Sequence, residues 1–128
     1  MKKIEAIVQS LELQQVMDAL VDIGIDGMTI TDILGDDSEQ GRSVTDRSNE
    51  DVGYLLPEVR FDLVVSNQRS MEVVDTIAQA VHTSQFGVGN IFVYEIADAI
   101  RISNGDRGDA ALRAPAGKVT PVRNSAVA

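Results

Sequence analysis

The chain has 128 residues, a formal net charge of −9, 44% hydrophobic residues, one His and no Cys or Trp. That length is one domain, and the absence of Cys excludes disulfide frameworks, Cys-based zinc sites and thiol catalysis. The acidity speaks against nucleic acid as a partner, and no apolar run reaches the roughly 18 residues of a membrane span.

Glu5 interrupts the stretch that a signal peptide would keep apolar, so a cytoplasmic protein without membrane insertion is expected. Residues 113–128 hold Arg113, Lys118, Arg123 and no acid, which leaves −12 on residues 1–112. Aromatics are 4% of the chain, so the core must be built from Ile, Val, Leu, Ala and Met.

In residues 2–9, Ile4, Ala6 and Val8 alternate onto one face and predict a half-buried strand. Ser10 offers an N-cap for a helix with the apolar stripe Leu13, Val16, Met17, Leu20 and Val21, stopped by Gly24. A second strand is predicted over 28–34, where Thr and Ile are frequent. Residues 35–57 lose all periodicity and read as a long loop, of the kind that is functional or disordered. A third strand follows over 59–65, and Ser66 or Asn67 caps a second helix with the stripe Met71, Val74, Ile77, Ala78 and Val81. Gly87-Val88-Gly89 is a turn before a fourth strand over 91–95, which residues 96–102 could extend. From Ser103 the pattern fades, and residues 113–128 are expected to be a mobile tail.

The order β-α-β-loop-β-α-β is the α+β, ferredoxin-like βαββαβ arrangement. Two helices cover one face of such a sheet. The other face stays bare, and apolar residues on it predict self-association. RNA recognition would need stacking aromatics and a basic surface, and Phe61, Phe92 and Tyr94 on an acidic chain do not supply them. An acylphosphatase-like anion cradle is missing from Gln9-Ser10-Leu11-Glu12. His82 reads as a surface or boundary residue. Asp36, Asp37 and Glu39 have the oxygen ligands of a hard-cation site but read as a solvated loop. No nucleophile–base pair or general base stands out, which argues against an enzyme, a slow nucleotide hydrolase included. Gly87 and Gly89 would let backbone N–H groups approach a phosphate, with Arg101 as counter-charge.

Across residues 1–112 the chain resembles the PII family of nitrogen-regulatory signal proteins. The resemblance rests on Met1-Lys-Lys-Ile-Glu-Ala-Ile-Val8, Gly24-Ile-Asp-Gly-Met-Thr-Ile-Thr31, Leu56-Pro57, Val64-Val65, the segment 83–93 around Gly87-Val-Gly-Asn-Ile-Phe92, Ile100-Arg-Ile-Ser-Asn-Gly105 and Gly108-Asp-Ala-Ala-Leu112. It implies a homotrimer whose inter-subunit clefts bind an adenine nucleotide. It also implies a T-loop, here residues 35–57, that docks onto a target, often a membrane transporter. Thr29, Gly35 and Val64 would line the adenine side, and Gly87, Gly89 and Arg101 the phosphate side. Asn90 stands where the family has a phosphate-binding Lys, Ser103 where it has a second Arg, and Val88 where it has an Asp between the glycines. Glu39 and Glu58 replace the Gln and Lys of members that bind ATP with 2-oxoglutarate, and Asp51 replaces the modified Tyr.

These departures imply a divergent PII-like regulator that prefers AMP, ADP or cyclic AMP, with Arg42 or Arg47 closing over the ligand. Such relatives are linked to transport of inorganic carbon, metal or nitrogen compounds, and bicarbonate or another small anion is a further candidate ligand. The loop acids Asp36, Asp37, Glu39, Asp46, Glu50, Asp51 and Glu58 favour a basic partner surface. The alternative is a trimeric interaction module that has lost ligand binding.

Overall fold

The computed structural model describes residues 1–25, 27–36, 55–81 and 89–113. The four strands are β1 (Lys2–Gln9), β2 (Thr29–Asp36), β3 (Leu55–Val65) and β4 (Asn90–Glu95), and the helices are α1 (Leu13–Asp22) and α2 (Asn67–Val81). The strands form one sheet in the order β2-β3-β1-β4, and β3 runs antiparallel to both β1 and β2. This is the ferredoxin-like α+β fold expected from the element order.

The core lies between one sheet face and the helices. β1 contributes Ile4, Ala6 and Val8, and β3 contributes Val59, Phe61, Leu63 and Val65. Both sets alternate, because every second side chain of a strand points the same way. Val16 and Leu20 of α1 and Val73 and Ile77 of α2 close the core from above. At the end of α1, Ile25 N–H donates to Leu20 O and Gly24 N–H to Val21 O, both at 2.9 Å. With Gly24 at φ 86 this is a Schellman closure, and it folds Ile25 back into the core beside Leu20.

Four expectations from the sequence change here. The helix stripes rotate: Val21, Met71 and Ala78 face solvent, while Ser70 is buried. Small Ser70 can be buried because its hydroxyl donates to Asn67 O at 2.9 Å. Both registers share Val74, Ile77 and Val81, so periodicity alone could not separate them.

The long loop shortens at its base. Gly35 pairs with Leu56 and Asp36 with Leu55, so β2 and β3 extend into a stem, and the 37–54 part of the T-loop lies outside the described residues. Backbone pairing does not require side-chain alternation, which is why the stem left no periodic trace.

Residues 96–102 do not lengthen β4. Ile96 N–H still reaches Met1 O at 3.1 Å, after which the chain turns away and closes a small loop through an Ile100–Arg107 bridge. A 3-10 turn over Gly108–Leu112 follows, and the 114–128 part of the expected tail lies outside the described residues.

The bare sheet face, finally, is not an apolar patch. Lys3 reaches Asp62 at 3.5 Å and Glu5 at 3.9 Å, and Arg60 pairs with Asp62 at 2.9 Å. Tyr94 donates to Glu5 at 3.3 Å, and Lys3 lies 5.3 Å from the Tyr94 ring centroid. Ile7, Val64 and Phe92 share that face with the charged network.

Candidate functional site

Strand register sorts the expected site residues into two groups. Thr29 opens β2 opposite Asp62, and Val64 sits one residue before the end of β3, opposite Lys3. Thr29, Val64 and Arg101 line one cleft of about 470 Å³, together with Lys3, Gly27, Asp62 and Leu112. Sequence reading missed Lys3 and Asp62, although their alternation with Ile4 and Leu63 puts them on the bare face. Gly27 and Leu112 carry no such signal, since chain folding alone brings them there.

Gly35, Gly89 and Asn90 lie at the opposite end of the sheet. Asn90 opens β4 opposite Ile7, and Gly35 sits in the stem opposite Leu56. From Lys3 to Ile7, beside Gly89, the first strand runs about 13 Å, at roughly 3.3 Å per residue. No single protomer therefore brings Arg101 to Gly89. Gly87, Arg42 and Arg47 lie outside the described residues, as do His82, Asp37, Glu39, Asp51 and Val88.

At this second end, close approach of the backbone holds Gly89, and a flexible side chain crowds Gly35. Gly89 has φ 126, and a Cβ there would stand 2.4 Å from Ile7 O. At Gly35 a Cβ would meet the Glu58 carboxylate, 1.9 Å from Oε1. Glu58 thus leans across the base of the loop and places negative charge beside Gly35.

At the first end, Arg101 is a structural anchor as well as a cation. Its Nη2 donates to Ala111 O at 2.9 Å and to Arg113 O. Its backbone N–H donates to Asp106 O, and its own carbonyl accepts from Gly105 N–H, both at 2.8 Å. The turn is braced by Arg107, which donates to Asp98 from Nε at 3.0 Å and from Nη2. That guanidinium, helped by the Ala99 N–H, holds the Asp98 carboxyl below the usual carboxylate range. Ser103 is exposed in the turn beyond Arg101.

Among the described residues, no helix is long and apolar enough to cross a membrane. Nor do they contain a group of three or more His, Cys, Asp or Glu arranged to hold a metal ion.

Comparison with known proteins places these features in context. The family model for nitrogen regulatory protein P-II matches residues 1–106. The chain is 40% identical over 112 residues to nitrogen regulatory protein P-II of Rhodospirillum rubrum, covering 88% of this chain and 100% of that protein. It is 38% identical, with the same coverage, to nitrogen regulatory protein P-II 1 of Escherichia coli. Among solved structures it is similar to Arabidopsis thaliana PII bound to citrate, with a TM-score of 0.67 and 34% identity, covering 86% of this chain and 90% of that one.

Proposed function

The chain belongs to the nitrogen regulatory protein P-II family of signal-transduction regulators, and from that premise we propose that it reads an adenine nucleotide in clefts completed between the subunits of a homotrimer. The nucleotide is AMP, ADP or cyclic AMP rather than ATP with 2-oxoglutarate. Its state passes through the T-loop to a target, a membrane transporter for inorganic carbon, metal or nitrogen compounds.

The observation that carries this reading is the split site. Thr29, Val64 and Arg101 line a cleft at one end of the sheet, and Gly35, Gly89 and Asn90 sit at the other. A head-to-tail ring juxtaposes unlike ends of neighbouring copies, and closed rings are a common outcome of heterologous contacts. The charged network around Lys3, Asp62 and Tyr94 gives the bare face specific polar contacts for such an assembly. Light scattering behind a sizing column should return about three times the 13.8 kDa chain mass. A monomer at micromolar concentration would remove both the ring and the composite site.

The nucleotide preference follows from the cations. Asn90 and Ser103 supply no charge where family members carry Lys and Arg, while Arg101 is in place. A hydrogen bond to a charged group is worth roughly 1.5–3 kcal/mol, which is about ten- to 150-fold in affinity. Calorimetric titration should show AMP, ADP or cyclic AMP binding at least as tightly as ATP, and no coupled heat from Mg-ATP with 2-oxoglutarate. Arg101→Ala should weaken binding by about that factor, and Asn90→Lys should shift the preference toward ATP. Clear ATP preference in the unmodified chain would refute the reading.

Glu58 beside Gly35 disfavours a dicarboxylate at that edge through like charge. The citrate in the Arabidopsis structure shows that a relative accepts a small carboxylate anion. Bicarbonate or another small anion is accordingly our candidate for a second ligand. If no nucleotide raised the thermal stability of the chain, the remaining reading would be a trimeric interaction module without a ligand.

A further inference from the structure

We propose that residues 106–113 form a latch on Arg101, which must open before the guanidinium can grip a phosphate with two parallel hydrogen bonds. This inference rests on the nucleotide reading of the cleft and concerns its regulation. A guanidinium has two edges for forked recognition, one made by Nη1 and Nη2 and the other by Nε and Nη2. Both edges need Nη2, and Nη2 already donates to Ala111 O and Arg113 O. Nε is buried, with no hydrogen-bond partner among the described residues. In the latched state only Nη1 is left to meet a ligand, through single bonds.

The latch has a fixed base and a releasable end. Its base is held by the Ile100–Arg107 bridge, by Gly108 N–H donating to Ala99 O at 3.0 Å, and by the Arg107–Asp98 pair. Gly108 follows with φ 63 and open space around its Cα, which suits a pivot. Beyond it, the carbonyls of Ala111 and Arg113 are tied to Arg101, and Leu112 forms part of the cleft wall. Phosphate oxygens accept charge-assisted bonds from both partners' charges, whereas peptide carbonyls are neutral acceptors. A phosphate therefore displaces the strap, and ligand-free protein holds its affinity down by the fraction of time it is latched.

The test uses ADP and inorganic pyrophosphate as probes. Full-length Gly108→Val strains the pivot without touching the cleft and should bind each probe about tenfold tighter, the size of one hydrogen bond to a charged group. In the full-length trimer, amide order parameters of residues 110–113 should fall on ADP saturation, and in Arg101→Ala they should fall without ligand. Equal ADP affinity in wild type and Gly108→Val, or residues 110–113 that stay ordered in Arg101→Ala, overturns the latch and leaves the nucleotide reading standing. If no chain binds either probe, both the nucleotide reading and the latch fail.

Discussion

Gly89→Ala is expected to destabilise the protein by more than the roughly 1–3 kcal/mol of backbone strain alone, and to weaken nucleotide binding at least tenfold. The φ of 126 belongs to a region that side-chain-bearing residues rarely adopt. The added Cβ would also stand 2.4 Å from Ile7 O, a backbone atom inside a central strand. Relief requires the start of β4 to move away from β1, which breaks the Ile7–Asn90 pairing and shifts the residue that faces the phosphate in our reading. Gly105→Ala is the matched comparison. Its φ is 78, but a Cβ there meets nothing within 4 Å, so only local strain of about 1 kcal/mol is expected. Thermal unfolding and ADP titration of both variants decide the point. If Gly89→Ala were as mild as Gly105→Ala, the close approach of β4 to Ile7 would not exist in solution.

Phe61→Ala should cost about 3–5 kcal/mol, because it removes the largest fully buried side chain and leaves a cavity that the sheet cannot collapse into. For a domain of this size that corresponds to a fall of roughly 10–20 °C in the unfolding midpoint. Phe61 sits on β3 between Ala6 of β1 and Ile30 of β2, so its cavity opens in the middle of the core. Met71→Ala removes a long apolar side chain from α2 and should change stability by only about 0.5 kcal/mol, since Met71 is 66% exposed. The pair tests the helix register as well as the core. A large loss from Met71→Ala would mean that α2 packs by the Met71–Ala78 stripe rather than through Ser70, Val73 and Ile77.

Much of the fold is local information. Alternation in Ile4, Ala6 and Val8 identifies β1 from the residues alone, and the spacing of Val16 and Leu20 identifies α1. Gly24 marks the end of α1 because only an αL residue completes that closure without strain. The family and the α+β class are legible for the same reason, since they rest on residue identity at fixed spacing. The face that α2 buries is different. Two stripes offset by one residue share Val74, Ile77 and Val81, and the choice falls to Ser70, whose small side chain can be buried because its hydroxyl is satisfied by Asn67 O.

The remaining features depend on residues distant in the chain, and no local pattern can encode them. The stem Gly35–Leu56 is a backbone ladder, so its residues need no alternation. The polar character of the bare face comes from Lys3, Glu5, Asp62 and Tyr94, which belong to three strands and become a network only through register. The family resemblance implies that Thr29, Val64, Gly35, Gly89 and Arg101 surround one ligand in a cleft between subunits. Tertiary structure divided them between two ends of a sheet and tied Arg101 to the carbonyls of Ala111 and Arg113. Residue types determine which atoms can hold a phosphate, but strand direction and chain reversal determine which of those atoms one subunit can bring together.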